Sequence, residues 1–180
     1  MRLAGKEIAF LVAEGVEDLE YYVPLMRLQE EGAQTVTAAL QPEPVRGKNG
    51  LVVRPEMAIA ALDPGRLDGL VVPGGWAPDR LRRHPEVTRL VRELDARGRT
   101  IAFICHGGQV AISAGILRGR RAGGTLAIRD DLVNAGAIWV DRPAFRDGNR
   151  VWGRVVADIP DFCRELVAAL AGEEAAGPAG

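Results

Sequence analysis

The most constraining feature of the sequence is the segment 100–113, TIAFICHGGQVAIS, in which an apolar run leads through a glycine-containing turn into a helical pattern. The run Ile101–Ile104 is typical of a strand covered on both faces of a sheet. The break at Cys105 and His106 then lies at the carboxyl edge of that strand. Because ligands bind at this edge in open α/β sheets, the segment predicts a functional site at Cys105.

The chemistry of Cys105 has two interpretations. The unpaired backbone N–H groups of the following helix carry partial positive charge, which favours a thiolate and predicts a lowered pKa for the thiol. The strained strand-to-helix turn is then similar in geometry to a nucleophile elbow. In the alternative, Cys105 is a small buried hydrophobic residue. The adjacent His106 and two glycines favour the nucleophile.

The rest of the chain alternates strand and helix patterns. Buried strands are predicted at 6–13, 35–40 and 69–75, and helices at 17–31, 85–97 and 161–170. Strands separated by helices form βαβ units with right-handed crossovers. This predicts an α/β fold with a mostly parallel sheet and helices on both faces.

Several local details are less regular. The first helix is predicted to bury an apolar face, and Pro24 predicts a kink or a late start. A small hairpin is expected within 46–59, and another from 138–140 and 150–155, joined through the turn 147–149. Asp158 and Pro160 are expected to begin the last helix. The predicted apolar face of the first helix consists of Leu19, Tyr22, Val23, Met26 and Leu28.

Length and composition limit the class of protein. The 180 residues, 47% of them hydrophobic, suit one domain over 1–171, and the Ala-, Gly- and Glu-rich end 172–180 is predicted to be disordered. A net charge of -1 gives no signal for nucleic acid or a membrane surface, and the arginines of 80–83 and 118–121 are interpreted as solvated faces. Two cysteines make no disulfide framework, and no signal or membrane segment is evident, so we expect a cytoplasmic protein.

Acidic partners for Cys105 are expected from the loop after the first strand. Glu17 and Glu20 are three residues apart and share one side of a helical turn. A protonated Glu20 beside the sulfur donates a hydrogen bond to a thiolate, and burial raises the pKa of such a carboxyl. In the alternative, Glu17 and Asp18 complement the helix dipole. His106 is interpreted either as a partner of Cys105 or as a loop residue facing solvent or another subunit.

The glycines after the third strand lie at the same edge. The backbone N–H groups of Gly75 and His106 are candidates for an oxyanion site, although a plain glycine turn is the simpler interpretation. GGWAPD is neither a phosphate loop nor a dinucleotide fingerprint. Two cysteines and two distant histidines do not supply a zinc site. We therefore predict neither a cofactor nor a metal.

Several motifs together resemble one known family. In order along the chain they are VEDLEYYVPLMRLQEEGA, VRGKNG, LDGLVVPGGWAPDRLR, ICHGGQVAISAGILRGRR, IRDDLVNAGAIWVD and DIPDFCREL. They are similar to the ThiJ/PfpI family from about residue 6 to residue 170. The resemblance implies a flavodoxin-like, three-layer α/β sandwich, class I glutamine amidotransferase-like, which assembles as a homodimer or a higher homo-oligomer.

The same resemblance implies roles for individual residues. Cys105 becomes the nucleophile, His106 its neighbour, Glu20 the acid beside the sulfur and Glu17 a second acid. Gly75 with His106 forms the oxyanion site, and Asp79 is the carboxylate that approaches the histidine from a neighbouring subunit.

Some positions depart from the family pattern. Gly108 stands where proline is usual, which predicts a looser elbow. Trp76 stands where arginine or histidine is common, and Thr125 where an aromatic residue is frequent. Residues 153–158 correspond to another segment of the family pattern. Of the residues that are usual in that segment, this chain has only Arg154 and Asp158.

Three functions follow as hypotheses. The first is a stress-response enzyme of the glyoxalase or deglycase kind, acting on reactive small carbonyls or their protein adducts. The second is an intracellular cysteine peptidase with a peptide substrate. The third is an oxidative-stress sensor in which peroxide oxidises Cys105 without turnover. A glutamine amidotransferase is excluded because no histidine follows His106 in the sequence.

Overall fold

The structure is a computed structural model and describes residues 1–174. Its strands are β1 (Glu7–Leu11), β2 (Gln34–Ala39), β3 (Val45–Arg46), β4 (Val52–Val53), β5 (Met57–Ala58), β6 (Gly69–Val72), β7 (Thr100–Ile104), β8 (Arg121–Ala122), β9 (Ile138–Trp139), β10 (Ala144–Asp147) and β11 (Arg150–Gly153). Its helices are α1 (Asp18–Glu30), α2 (Ala77–Leu81), α3 (Pro85–Ala96), α4 (Gly108–Ala114), α5 (Arg129–Asn134) and α6 (Ile159–Leu170). Of the segment 172–180, predicted to be disordered, residues 172–174 are described, and Glu173 forms an ion pair with Arg2. Residues 175–180 lie outside the described residues.

The main sheet has the strand order β10-β11-β7-β6-β1-β2-β5. All its neighbouring strands are parallel except the antiparallel pair β10 and β11. From β1 the chain continues to β2 on one side and later returns to β6 on the other. The crevice between β1 and β6 is therefore the topological switch point, where ligands bind in such sheets.

Helices cover both faces of this sheet. Helix α3 packs against β7 and α4, whereas α6 packs against β10, β11 and α1. The predicted apolar stripe of α3, from Val87 to Leu94, is buried, as are all residues of β6. These features confirm the mostly parallel, flavodoxin-like α/β fold.

The predicted apolar face of α1 is correct at Leu28, which is buried, but wrong at three other positions. Leu19, Val23 and Met26 are 47%, 40% and 61% exposed, whereas the buried positions include Glu20 and Tyr21. The cause is tertiary, because Glu20 is turned toward the crevice between β1 and β6 and fixes the rotation of the helix. Nor does α1 start late at its proline, since it runs without interruption through Pro24.

The second predicted hairpin is also wrong in one strand. The turn at Gly148 joins β10 to β11, whose residues directly flank it, as a tight hairpin requires. The segment Ile138–Trp139 instead pairs in parallel with Arg121–Ala122 in a separate small sheet. The first small hairpin, formed by β3 and β4, is confirmed.

The start of α6 differs in one detail. Pro160 occupies the first turn as predicted, but the Asp158 side chain makes no capping hydrogen bond. Its carboxylate instead accepts a hydrogen bond from the Arg154 guanidinium at 2.9 Å.

Candidate active site

The predicted strand-to-helix turn follows β7 directly. Cys105 has a φ of 58°, and among residues 1–174 it is the only non-glycine residue with a positive φ. A single 3-10 turn, Cys105–Gly107, then leads into α4. A side chain at Gly107 would lie 2.4 Å from the Val72 carbonyl oxygen, so only glycine fits. Backbone strain of this kind is stored where the surrounding structure holds it, as in active sites.

The loop after β6 packs tightly against both Cys105 and α1. A Cβ atom on Gly74 would lie 2.5 Å from Glu20 Oε2 and 2.8 Å from Cys105 Cβ. Gly75 has a φ of +75°, and a Cβ there would lie 2.3 Å from the Gly15 carbonyl oxygen. These two glycines allow three loops at the carboxyl edge of the sheet to meet.

Glu20 lies beneath the cysteine and is completely buried. Its Oε2 accepts a hydrogen bond from the Gly74 N–H at 2.7 Å, and its Oε1 has no hydrogen-bond partner among the described residues. Burial raises the pKa of Glu20 to about 7, against the opposing effect of the Gly74 N–H. The carboxyl therefore titrates near neutral pH, as expected for an acid beside the sulfur.

The prediction of a lowered thiol pKa is wrong. Burial, the charge of Glu20 and a hydrogen bond with that side chain together raise the pKa of Cys105 to about 12. The N–H groups of His106 and Gly75 act in the opposite direction but are outweighed. The partial charges at the start of a short helix do not compensate for desolvation and an adjacent carboxylate.

The two groups titrate as one unit. When the pair has lost one proton, that proton lies either on Glu20 or on the Cys105 sulfur. If Glu20 holds it, the repulsive charge is gone and the carboxyl can donate to the thiolate. A thiolate is therefore accessible at neutral pH as one form of the singly deprotonated pair.

His106 lies on the solvent side of the same turn. Its Nδ1 is 3.4 Å from Cys105 Sγ. Burial, followed by the charge of Lys48, lowers the pKa of His106. The imidazole is consequently neutral at physiological pH and has one ring nitrogen available to accept a proton.

Glu17 serves as the N-cap of α1. Its Oε2 accepts from the backbone N–H groups of Leu19 and Glu20 at 2.9 and 3.0 Å. Its Oε1 accepts from Asn49 Nδ2 at 2.7 Å. Glu17 therefore lies where the alternative placed it, as an acidic residue at the start of the helix, and it also contributes to the wall of the cavity beside Cys105.

The cavity beside Cys105 has a volume of about 290 Å³. Our sequence reasoning did not include Lys48 and Asn49, which come from the tip of the first small hairpin, in the motif VRGKNG. Only the fold brings that tip to the sheet edge. The lining residues are Glu17, Glu20, Lys48, Asn49, Gly75, Trp76, Cys105, His106, Val155, Val156 and Ala157.

A second cavity, of about 450 Å³, adjoins the first. It is lined by Gly75, Trp76, Asp79, Arg80, Arg83, His106 and Gln109. Asp79 of the same chain forms an ion pair with Arg83. The approach of Asp79 from a neighbouring subunit stays a prediction. The arginines of 80–83 and 118–121 are exposed, as interpreted from the sequence, except Arg82, which is half-buried and donates a hydrogen bond to Ser113 Oγ. Arg80 and Arg83 also line this cavity.

Gly108 has a helical φ of -57°, which proline would also adopt. A Cβ atom there would lie 3.1 Å from Ile128 Cδ1 and 3.2 Å from Trp152 Cζ3. The Trp152 ring in turn stacks on Phe103 of β7, with ring centroids 5.0 Å apart. The start of α4 is thus packed closely despite the glycine.

Within residues 1–174, no group of three or more His, Cys, Asp or Glu side chains is arranged to hold a metal ion. Among the described helices, none has the length and apolar character needed to cross a membrane.

Known proteins provide an independent comparison. The chain is 40% identical over 164 residues to the deglycase TK1284 of Thermococcus kodakarensis, covering 91% of this chain and 99% of the relative. It is 39% identical over 164 residues to the deglycase PfpI of Pyrococcus furiosus, with the same coverage.

Solved structures agree. A DJ-1 superfamily protein of Salmonella typhimurium has a TM-score of 0.82 at 29% identity, covering 93% of this chain and 91% of its own. DJ-1beta of Drosophila melanogaster, at 24% identity, shares the fold with a TM-score of 0.88, covering 94% and 92%. The model of the DJ-1/PfpI family matches residues 6–169. The chain therefore belongs to the DJ-1/PfpI family.

Proposed function

We propose that the protein is a cysteine-dependent enzyme of the deglycase or glyoxalase kind, acting on reactive small carbonyls or their protein adducts. The observation that carries this proposal is the strained Cys105, whose sulfur contacts the titrating carboxyl of Glu20 and opens on a cavity. Relatives that are about 40% identical over nearly their whole length are named deglycases, which supports the same chemistry.

In the first step, the Cys105 thiolate attacks the aldehyde carbon of a dicarbonyl such as methylglyoxal. A C–S bond forms, and the carbonyl π electrons move to oxygen. The N–H groups of Gly75 and His106 are proposed to stabilise that oxyanion until it is protonated. Glu20 keeps its proton while the sulfur is anionic, because two adjacent buried anions repel each other.

In the second step, the neutral His106 is proposed as the base. It removes the hydrogen of the former aldehyde carbon as a proton, and the adjacent carbonyl oxygen is protonated, giving an enediol. Return of the proton to the second carbon oxidises the first carbon and reduces the second, so no external oxidant is needed. The resulting thioester is hydrolysed by water to lactate and the free thiol.

We also propose that the protein is cytoplasmic and works as a homodimer or larger homo-oligomer, with Asp79 of a neighbouring subunit approaching His106. The support is the family resemblance together with the position of Asp79 on an exposed surface next to His106. Light scattering combined with an Asp79→Asn variant tests this. A monomeric, fully active protein would contradict it.

The decisive experiment measures methylglyoxal consumption and lactate formation by wild type, Cys105→Ala and Cys163→Ala. Cys163 is the matched control because it is the other free cysteine and is buried on α6. We expect Cys105→Ala to lose turnover and Cys163→Ala to keep it. Unchanged turnover in Cys105→Ala would refute the proposal.

The two other hypotheses are distinguished by the same proteins. Peptidase activity requires a well-oriented base, and within residues 1–174 His106 has no hydrogen bond to a carboxylate. Cleavage of a casein substrate that depends on Cys105, without lactate formation, would favour it. A sensor is favoured if mild peroxide oxidises Cys105 alone and no substrate is turned over.

A further inference from the structure

Asp18 is a buried carboxylate that the proposed chemistry does not use. It lies in the first turn of α1 and is 2% exposed. Its Oδ2 accepts a hydrogen bond from the Asn49 N–H at 2.7 Å, and its Oδ1 accepts one from the Leu51 N–H at 2.8 Å. Both donors belong to residues 47–51, the tip of the hairpin formed by β3 and β4. Because a buried charge needs such hydrogen bonds, the carboxylate ties the start of α1 to the hairpin tip.

Polar contacts rather than packing hold the hairpin tip in place. Of its five residues only Gly47 is buried. The Lys48 N–H donates a hydrogen bond to the Val16 carbonyl oxygen at 2.8 Å. A Cβ atom on Gly47 would lie 2.3 Å from Asp18 Oδ1, so the backbone of the tip lies directly against the carboxylate. The position of the tip therefore depends on a few hydrogen bonds, two of which end on Asp18.

The hairpin tip brings a cation to the cavity beside Cys105. Lys48 lines this cavity and forms no ion pair in the described part of the chain. Burial is the main influence on the pKa of Glu20 and of His106, and the charge of Lys48 lowers both. The wall formed by residues 155–157 is apolar. The other titratable groups that line the cavity are Glu17, Glu20, Cys105 and His106.

We propose that Asp18 is a positioning residue of the active site, whose carboxylate holds the hairpin tip so that the Lys48 ammonium lies against the Cys105–Glu20 pair. Asp18 does not line the cavity, so it acts through Lys48. In this arrangement a buried negative charge brings a positive charge to the site. The inference rests on the proposed function where turnover is concerned, whereas the reactivity of Cys105 can be measured without turnover.

The sign of a pH shift separates this role from a direct effect of the Asp18 charge. Removing that charge with the hairpin tip in place would favour the ionised pair and lower the pH midpoint of Cys105 alkylation. Displacement of the tip instead removes Lys48 from the site and raises the midpoint. Asparagine has one side-chain oxygen for the two N–H groups, so Asp18→Asn should displace the tip. We expect Asp18→Asn and Lys48→Met each to raise the midpoint by about 0.5 pH unit, the effect of one partly screened charge.

Two further variants make the test independent of how well Asp18→Asn folds. Gly47→Ala leaves both charges in the chain, but its Cβ pushes the hairpin tip away from the carboxylate, so the midpoint should rise as well. In the double variant Asp18→Asn/Lys48→Met the midpoint should rise no further than in Lys48→Met, because Asp18 acts through Lys48. Asp161→Asn, at an aspartate in the first turn of α6, is the control and should keep the wild-type midpoint.

Alkylation of Cys105 by iodoacetamide over a series of pH values, read by peptide mass spectrometry, gives these midpoints. A midpoint that is lowered or unchanged in Asp18→Asn, Gly47→Ala or Lys48→Met would overturn the positioning role. A further rise in the double variant would overturn it too, because Asp18 would then act by another route.

Methylglyoxal turnover by the same proteins distinguishes this inference from the proposed function. Below the midpoint, kcat/KM should fall about threefold in Asp18→Asn and in Lys48→Met, because half a pH unit changes the thiolate fraction by that factor. Asp161→Asn should keep the wild-type value. Midpoints that move as expected in a protein without turnover would refute the proposed function and retain the positioning role. Turnover that depends on Cys105, with midpoints that do not move, would refute the positioning role alone.

Discussion

The two cysteines of this protein differ in surroundings far more than in acidity. Burial raises the pKa of Cys105 to about 12 and that of Cys163 to about 11. Cys163 lies within α6, where the charges acting on it, Arg27 and Arg164, are both positive. Cys105 contacts a carboxyl that titrates near pH 7 and opens on a cavity.

If pKa alone decided reactivity, Cys163 would be the better nucleophile. From this comparison we predict that a proton partner and access matter more for reactivity than the isolated thiol pKa. Cys105 has Glu20, which can keep a proton while the sulfur loses one, and it has the N–H groups of Gly75 and His106. The charges that act on Cys163 are those of two arginines, and the residue is 5% exposed.

The largest expected effect is a difference in alkylation. With iodoacetamide at pH 7.5, Cys105 should react at least ~100-fold faster than Cys163, because the thiolate is the reactive form and only Cys105 has both a proton partner and access. A time course of labelling, followed by peptide mass spectrometry, gives both rates in one sample. Similar rates would show that the pair with Glu20 does not activate the sulfur.

The second effect concerns pH and the buried carboxyl. The folded-state pKa of Glu20 is about 7, above its ordinary value of 4.5. Between these values the unfolded chain ionises first, so the free energy of unfolding should fall as pH rises from 4.5 to 7, by about 3 kcal/mol. Below pH 4.5 the contribution is fully present, and above pH 7 it is lost.

Glu20→Gln should remove this pH dependence and shift the midpoint of Cys105 alkylation from near pH 7 to alkaline pH, since the thiol is then the only titrating group of the pair. Urea unfolding and alkylation at several pH values measure the two effects. Glu30→Gln, at the exposed end of the same helix, is the control. An unchanged midpoint in Glu20→Gln would show that the carboxyl and the sulfur do not share a proton.

A third effect follows from the close packing at Gly74. Alanine there would overlap Glu20 Oε2 and Cys105 Cβ. We expect about tenfold slower alkylation of Cys105 and a loss of about 2 kcal/mol in the free energy of unfolding, the usual cost of overpacking. Gly98→Ala is the control, because Gly98, unlike Gly74, has open space around it and has a φ of +69°, so alanine there adds only backbone strain. Equal effects on alkylation in both variants would contradict this explanation.

The smallest effect tests how the start of α4 is held. Gly108→Ala should lower the free energy of unfolding of the wild type, because the added Cβ would press on Trp152. The loss should be smaller in a Trp152→Phe background. A double-mutant cycle by urea unfolding should give a coupling of about 0.5–1 kcal/mol. Additive effects would mean that the Trp152 ring does not restrain the elbow.

Much of the site followed from local patterns. The apolar run before Cys105 and the glycines after it predict a buried strand and a tight turn without any knowledge of the fold. The same reasoning found Gly75, because a glycine turn after a parallel strand lies at the carboxyl edge. It also found Glu20, from its position after β1. The apolar residues of α1, however, predicted that the opposite side of the helix is buried.

Other features could not be predicted locally. Lys48 and Asn49 reach the site only because a short hairpin folds over the edge of the sheet. The exposure of Leu19 and Met26 is decided by the rotation of α1, which buries a carboxyl in the crevice. The pairing of β9 with β8 depends on which backbone N–H and C=O groups lie beside β9 in the folded chain, and local sequence does not give this.

By itself, the sequence determined the strand, the strained turn and the position of the candidate nucleophile at 100–113, because these depend on residues adjacent in the chain. The tertiary structure alone decided the acidity of Cys105, because desolvation and the charge of Glu20 come from elements distant in sequence. It also brought Lys48 and Asn49 to the cavity beside Cys105, since their hairpin is distant from Cys105 in the sequence.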